Sequence, residues 1–146
     1  MRTGVRIGVD VGDVRVGVAR SDATGTLAVP LQVLRGGDLT GLAALVQEYE
    51  ALEVLVGLPI TLAGAEGRAA AKARSFATGL QELIEPVPVR LVDERLSTVT
   101  ALRFMRANGT SAAKGRQRVD AAAAAVIVQT ALDAERATGE LPGIPL

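Results

Sequence analysis

The sequence predicts an α/β fold on a mixed five-stranded sheet, three antiparallel strands followed by two parallel ones, flanked by helices. Three observations lead there. Residues 1–34 carry three consecutive strand-like runs with no helical stretch between them. Two later runs, 53–58 and 87–92, are almost continuously apolar, as strands covered on both faces are. Apolar residues at helical spacing separate and follow those runs, and a helix between two strands implies a parallel crossover.

Taken in order, alternating apolar residues over 5–11 and 14–19, joined at Gly12-Asp13, predict two strands and a tight turn. A third run over 26–34 opens after Gly25. Its Pro30 cannot donate to a ladder, which points to an edge or bulged position. Asp38 is a candidate N-cap for a helix through 48, with Leu39, Leu42, Leu45 and Val46 at helical spacing. The strand over 53–58 ends at Pro59, a loop over 60–67 follows, and a helix over 68–83 precedes the strand over 87–92. Ser97 or Thr98 caps a helix ending near Gly109, a polar basic segment comes next, and an alanine-rich helix covers 119–137. Residues 139–146 read as a loose tail after a single domain of 1–138. The leading meander and the lack of a GxGxxG turn separate this order from a dinucleotide-binding fold.

Composition narrows the chemistry. The 146 residues include no cysteine and no histidine, which removes thiolate metal sites, disulfides, cysteine nucleophiles and every Ser-His-Asp arrangement. Catalysis then has to run on carboxylates, lysine, hydroxyls or bound metal. Basic and acidic residues balance at 16 each, so only the distribution of charge can indicate a partner. Aromatic residues make up 2%, too few for a base-stacking platform. No run approaches the ~18–20 apolar residues of a membrane span, and the first residues lack the h-region and cleavage site of a signal peptide. A soluble, cytoplasmic protein without membrane contact is expected.

Three carboxylates interrupt otherwise apolar stretches. Asp10 breaks the first strand in IGVDVG, where burying an unpaired charge is costly; a solvated strand edge is the plainer explanation. Glu94, in LVDERL, stands just beyond the last buried strand, where ligands of open α/β sheets sit. Asp93 shares that place, but neighbours on a strand face opposite ways and only one can face Asp10. Asp120 opens the alanine-rich helix in RVDAAAAAVIVQ. Compensation of the helix dipole would account for it alone, yet alanines on that face permit close approach to a sheet. Three carboxylates from three elements, with no nitrogen or sulfur ligand, form an oxygen-only set suited to Mg²⁺ or Mn²⁺ and to phosphoryl chemistry. Between Glu94 and Asp120 lie six basic residues (Arg95, Arg103, Arg106, Lys114, Arg116 and Arg118) and no acidic one, a positive stretch fitted to a phosphate backbone. An ordinary solvated helix face is the alternative for it.

Together, IGVDVGDVRVGVARSD, VGLPITLAGAEG, VDERLSTVTA and VDAAAAAVIVQ resemble the motifs of the YqgF family, also called RuvX, the RuvC-like pre-16S rRNA nucleases and Holliday-junction-resolvase homologues. Four motifs in register over residues 5–133 carry the resemblance. It implies a ribonuclease H-like fold, a divalent metal, Mg²⁺ or Mn²⁺, and a catalytic acidic set falling on Asp10, Glu94 and Asp120. It further implies that Arg15, Arg95 and Thr98 border the site, and that the segment around Lys114 and Arg116, with Arg118, is a mobile nucleic-acid-binding loop. Asp13-Val14 departs from the family's common Thr-Lys, and Thr61-Leu62-Ala63 from its Asn-Met-Asp.

The function expected is a metal-dependent nuclease acting on structured RNA, in maturation of the 5′ end of pre-16S rRNA. Two alternatives remain: a structure-specific nuclease on branched or single-stranded DNA, which for junction resolution needs a homodimer, and a nucleic-acid-binding domain without catalysis. An actin-like ATPase shares the strand, Asp-x-Gly turn, strand opening, but that architecture closes two such domains over a nucleotide.

Overall fold

The computed structural model describes residues 1–96 and 113–146, with the side chains of 1–95 and 119–146. The chain runs β1 (Arg6–Val11), β2 (Arg15–Ser21), β3 (Ala28–Arg35), α1 (Leu39–Glu48), β4 (Glu53–Leu58), α2 (Arg68–Ile84) and β5 (Val89–Asp93). A 3₁₀ turn (Glu94–Leu96) follows, then α3 (Ala113–Thr138) and β6 (Ile144–Pro145). The strands form one sheet in the order β3-β2-β1-β4-β5-β6. β1 pairs antiparallel with β2 and parallel with β4, so the meander and the crossovers meet at β1.

Local chemistry explains the elements. Gly12 N–H donates to Arg15 O at 2.9 Å and closes the β1–β2 turn. Pro30 sits in edge strand β3 beside a register shift, where Ala19 faces Pro30 but Val18 faces Gln32. This is the bulge its missing donor calls for. Asp38 caps α1 by accepting from Gly41 N–H at 2.9 Å. Asp22 organises the β2–β3 turn, accepting from Thr26 N–H at 2.8 Å and the Thr24 hydroxyl at 2.6 Å.

Two layers cover the sheet. Ile7, Val9, Val54, Val56 and Leu91 face α1 and α2, where Leu42, Ala73, Ala77 and Leu80 complete the larger core. On the opposite face Ala123, Ala124, Ile127, Val128 and Leu132 of α3 pack against Ala19, Leu55 and Val92. That face holds α3 close because it is partly glycine. A Cβ at Gly8 would strike Val128, and one at Gly17 would strike the backbone of Asp120.

The structure departs from the sequence reading in three places. The sheet has six strands rather than five, because residues 144–145 pair antiparallel with β5. The tail is tied down: the Arg90 side chain donates to Pro142 O at 2.6 Å and Gly143 O at 3.1 Å. A two-residue strand carries no periodicity from which it could be read. The last helix begins at Ala113 rather than Val119, so the backbone of Lys114 and Arg116 is helical where a mobile loop was expected, and Asp120 is the helix's eighth residue. The dipole explanation for Asp120, which needs the first turn, therefore lapses. The expected helix from Ser97 or Thr98 to Gly109 lies outside the described residues. No described helix is long and apolar enough to cross a membrane.

A buried ionic cluster closes the far end of the α3 interface. Arg6 and Glu53, paired in register on β1 and β4, are both fully buried. Arg2 donates to both Glu53 oxygens at 3.0 Å and to Glu135 of α3 at 2.7 Å, and Arg6 reaches Glu135 at 3.3 Å. Two arginines thus meet two carboxylates. The Glu135 carboxyl is held below its ordinary range, chiefly by the hydrogen bonds from Arg2. Removing one partner strands buried charge, so Glu135→Ala is expected to cost about 3–5 kcal/mol in urea unfolding. Glu135 stabilises fully above its unfolded value of about 4.3, and that contribution is lost as pH falls through its lower folded value. An acid-unfolding curve unchanged in Glu135→Gln would contradict this assignment.

Candidate active site

The opposite end of the same interface gathers the three acids singled out from the sequence. Asp10 is 1% exposed, Glu94 3% and Asp120 1%. Asp10 lies on the α3 face of β1, and its row across the sheet is unusual. Its partner on β2 is Gly17, and on β4 the register Val9 to Val56 brings Gly57 alongside. Both neighbours lack a side chain, and both vacancies are used. The Asp120 backbone lies over Gly17, while the Glu94 carboxylate and Ile127 occupy the place a Cβ of Gly57 would take. The Glu94 carboxylate and the Asp120 backbone thus lie over the two strands that flank Asp10.

Each acid arrives by a different route. Asp10 is set by strand alternation, which turns Ile7 and Val9 to one core and Gly8 and Asp10 to the other face. Glu94 begins the 3₁₀ turn that leaves β5, so it folds back over the strand ends. Asp120 is carried by α3, whose alanines 121, 123 and 124 are buried against the sheet.

Arg15 belongs to the site. It stands two residues before Gly17 on β2, hence on the same face, and its Nε donates to Asp120 Oδ2 at 2.7 Å. Gly12, Asp13, Val14, Arg15 and Asp120 line a recess of about 190 Å³ there. Arg95 is turned elsewhere: its Nη2 is 2.7 Å from Asp93 Oδ2, and its Nε donates to the same carboxylate. That pairing holds the Asp93 carboxyl below its usual range, first through the Arg95 side-chain hydrogen bonds. Asp93 is thus occupied by its own neighbour. Thr98 lies outside the described residues, as do the side chains of Lys114, Arg116 and Arg118.

The donors suit a hard divalent cation in kind, being all oxygen. They are not drawn into a shell: among the described residues no group of three or more acidic side chains is arranged to hold a metal ion as it stands. Asp120 in particular is engaged by Arg15. Gly57 is the member sequence reading missed, since Gly57-Leu58-Pro59 reads there simply as the end of a buried strand. Its signal was a glycine inside an apolar strand, which marks close approach.

A model of the RuvX family, described as Holliday junction resolvase, matches residues 4–134. A Streptomyces avermitilis protein named "Putative pre-16S rRNA nuclease" is 51% identical, with 98% of this chain and 94% of that one covered. A Thermobifida fusca protein of the same name is 54% identical over 98% and 96%. Among solved structures, Thermus thermophilus RuvC in complex with a Holliday junction substrate superposes with a TM-score of 0.59 at 16% identity, covering 98% of this chain and 99% of that one. At that identity the likeness is one of fold, and RuvC carries the ribonuclease H-like architecture.

Gly57→Ala is expected to destabilise the protein by about 1–3 kcal/mol, because the new methyl meets the Glu94 carboxylate and Ile127 together. A urea midpoint equal to wild type would show that the packing at Gly57 yields freely and does not position Glu94.

Proposed function

Since the chain belongs to the RuvX family, we propose that it is a nuclease hydrolysing nucleic-acid phosphodiester bonds, with Asp10, Glu94 and Asp120 as catalytic residues and metal ligands and pre-16S rRNA 5′-end maturation as its role. The observation that carries the site assignment is the convergence of three almost fully buried carboxylates about the Gly17-Asp10-Gly57 row. Bringing three acids into one low-dielectric place serves no packing purpose and is costly. It is how phosphoryl-transfer sites are built when no histidine or cysteine is at hand.

In this reading Asp10 and Glu94 would hold a divalent ion, and Asp120 would hold or orient a second ion or its water. Mg²⁺ or Mn²⁺, when bound, supplies charge neutralisation at the scissile phosphate and a water acidified enough to attack it. The chain's own part is positional. Burial keeps the carboxylates in one geometry, and the glycines beside Asp10 let Glu94 and the start of the buried part of α3 close in on it. Arg15, on Asp120, sets that side chain's direction and presents a guanidinium to an incoming phosphate. Arg95, Thr98, Lys114, Arg116 and Arg118 are assigned to the substrate backbone.

RNA is favoured as substrate by the names of the half-identical relatives, and DNA by the family's description and by the fold shared with a resolvase. Resolution of junctions needs two sites on a symmetric dimer, and a strict monomer by light scattering counts heavily against it.

The deciding experiment incubates labelled structured RNA and branched DNA with the protein in Mn²⁺, Mg²⁺ or chelator. Cutting should require metal and fall by about a hundredfold or more in Asp10→Asn, as when several kcal/mol of transition-state charge stabilisation are lost, while binding persists. Binding without cutting under any metal would leave a non-catalytic domain, and full activity in Asp10→Asn would remove Asp10 from the site. Arg116→Glu with Arg118→Glu should weaken binding and flatten its salt dependence.

A further inference from the structure

The β1–β2 turn is a saddle between two openings. On its α3 side is the recess at Arg15 and Asp120. On its other side lies a larger cavity, about 380 Å³, bounded by the end of β1, by Pro59 after β4 and by the start of α2. Val11, the residue after Asp10, forms its wall, so the cavity begins one residue from the carboxylate site. Its charged groups are Asp13, Arg68 and Lys72.

The charges are uneven. Lys72 Nζ lies 2.5 Å from Asp13 Oδ1, while Arg68 has no hydrogen bond or ion pair among the described residues and acts on Asp13 through space. Both cations are exposed, four residues apart on one face of α2, and therefore reach the same cavity. Two cations against one carboxylate leave a net positive recess in a chain whose overall charge is zero. Such a recess repels a second metal ion and attracts an anion. Gly12 and Asp13 line both openings, so a strand with one phosphate over the Asp10 end of β1 that continues across this saddle brings its next phosphates to the α2 side.

We propose that Arg68 and Lys72 form a second phosphate subsite, holding the backbone of the nucleic-acid substrate beside the cut on the α2 side of the β1–β2 turn. This rests on the nuclease reading above. Asp13 holds Lys72 over the saddle until a phosphate arrives and shares its charge. The subsite positions substrate and takes no part in bond breaking, so its loss acts on binding.

Two arms test it. In the first, Asp10→Asn protein, which leaves substrate uncut, binds a fluorescein-labelled RNA hairpin at 50 to 200 mM salt, read by anisotropy. Adding Arg68→Ala and Lys72→Ala should weaken binding several-fold and reduce the slope of log K against log salt by about 0.7–0.9, one phosphate's worth. Asp13→Asn should tighten binding, and Arg136→Ala, on the far end of α3, should change neither. Both alanines lie on an exposed helix face, so the fold is spared. An unchanged slope overturns the subsite and leaves the nuclease reading intact. In the second arm, inorganic phosphate is titrated into ¹⁵N-labelled wild type. The amides of Gly12, Asp13 and Ala69 should shift, and the shift should vanish in the double alanine variant. Silence at those amides overturns the subsite whatever the cleavage assay returns. Shifts there, in a protein that cuts neither RNA nor DNA, uphold the phosphate pocket and overturn the nuclease reading alone.

Discussion

The close approach of α3 to the sheet is the contact on which the rest depends. It is possible because the sheet offers Gly8 and Gly17, and the helix offers alanines 121, 123 and 124, where larger side chains would hold the layers apart. Interiors pack at nearly crystalline density, so a single added methyl at Gly8 or Gly17 has nowhere to go. The same proximity brings the Asp120 backbone against Gly17, beside Asp10. Packing and site geometry are therefore one constraint.

That interface is apolar in its middle and ionic at both ends. Asp120 and Glu135 are 15 residues apart on α3, about 22 Å along the axis at 1.5 Å per residue. At the Glu135 end two arginines match two carboxylates, and the cluster pins β1, β4 and α3 together. At the Asp120 end acids dominate the buried set, and Arg15 holds the carboxylate of Asp120. One helix thus carries an anchor whose charges are matched and, several turns away, the buried Asp120 carboxylate paired with Arg15.

The edge of the sheet above this site divides charge between its two sides. Arg15 lies on the α3 side of the β1–β2 turn, and Arg68 with Lys72 lies on the α2 side. Helix α2 is otherwise an ordinary covering helix, buried through Ala70, Ala73, Ala77 and Leu80. Its first turns lie beside the Asp10 edge because a parallel crossover starts a helix just past the carboxyl end of a strand, where Asp10 and Glu94 also emerge.

Much of this was legible in the chain itself. Alternation along β1 and β2, the apolar runs of β4 and β5, Pro30 at a bulged edge and Asp38 as a cap are local effects, decided within a few residues, and the sequence by itself determined them. It also determined the kind of chemistry available, since a chain without histidine or cysteine has only oxygen ligands to offer, and it singled out Asp10, Glu94 and Asp120 as acids in apolar surroundings. Only the tertiary structure decided what depends on distant partners. The ionic cluster joins residues 2, 6, 53 and 135, the tail finds its partner in β5, and Gly57 acquires meaning because Glu94 lies over it. Arg95, expected to border the site, pairs instead with Asp93 two residues before it. Periodicity reports which face of an element is buried; which neighbour fills that face is settled by packing across the sheet, and that is where the site was made.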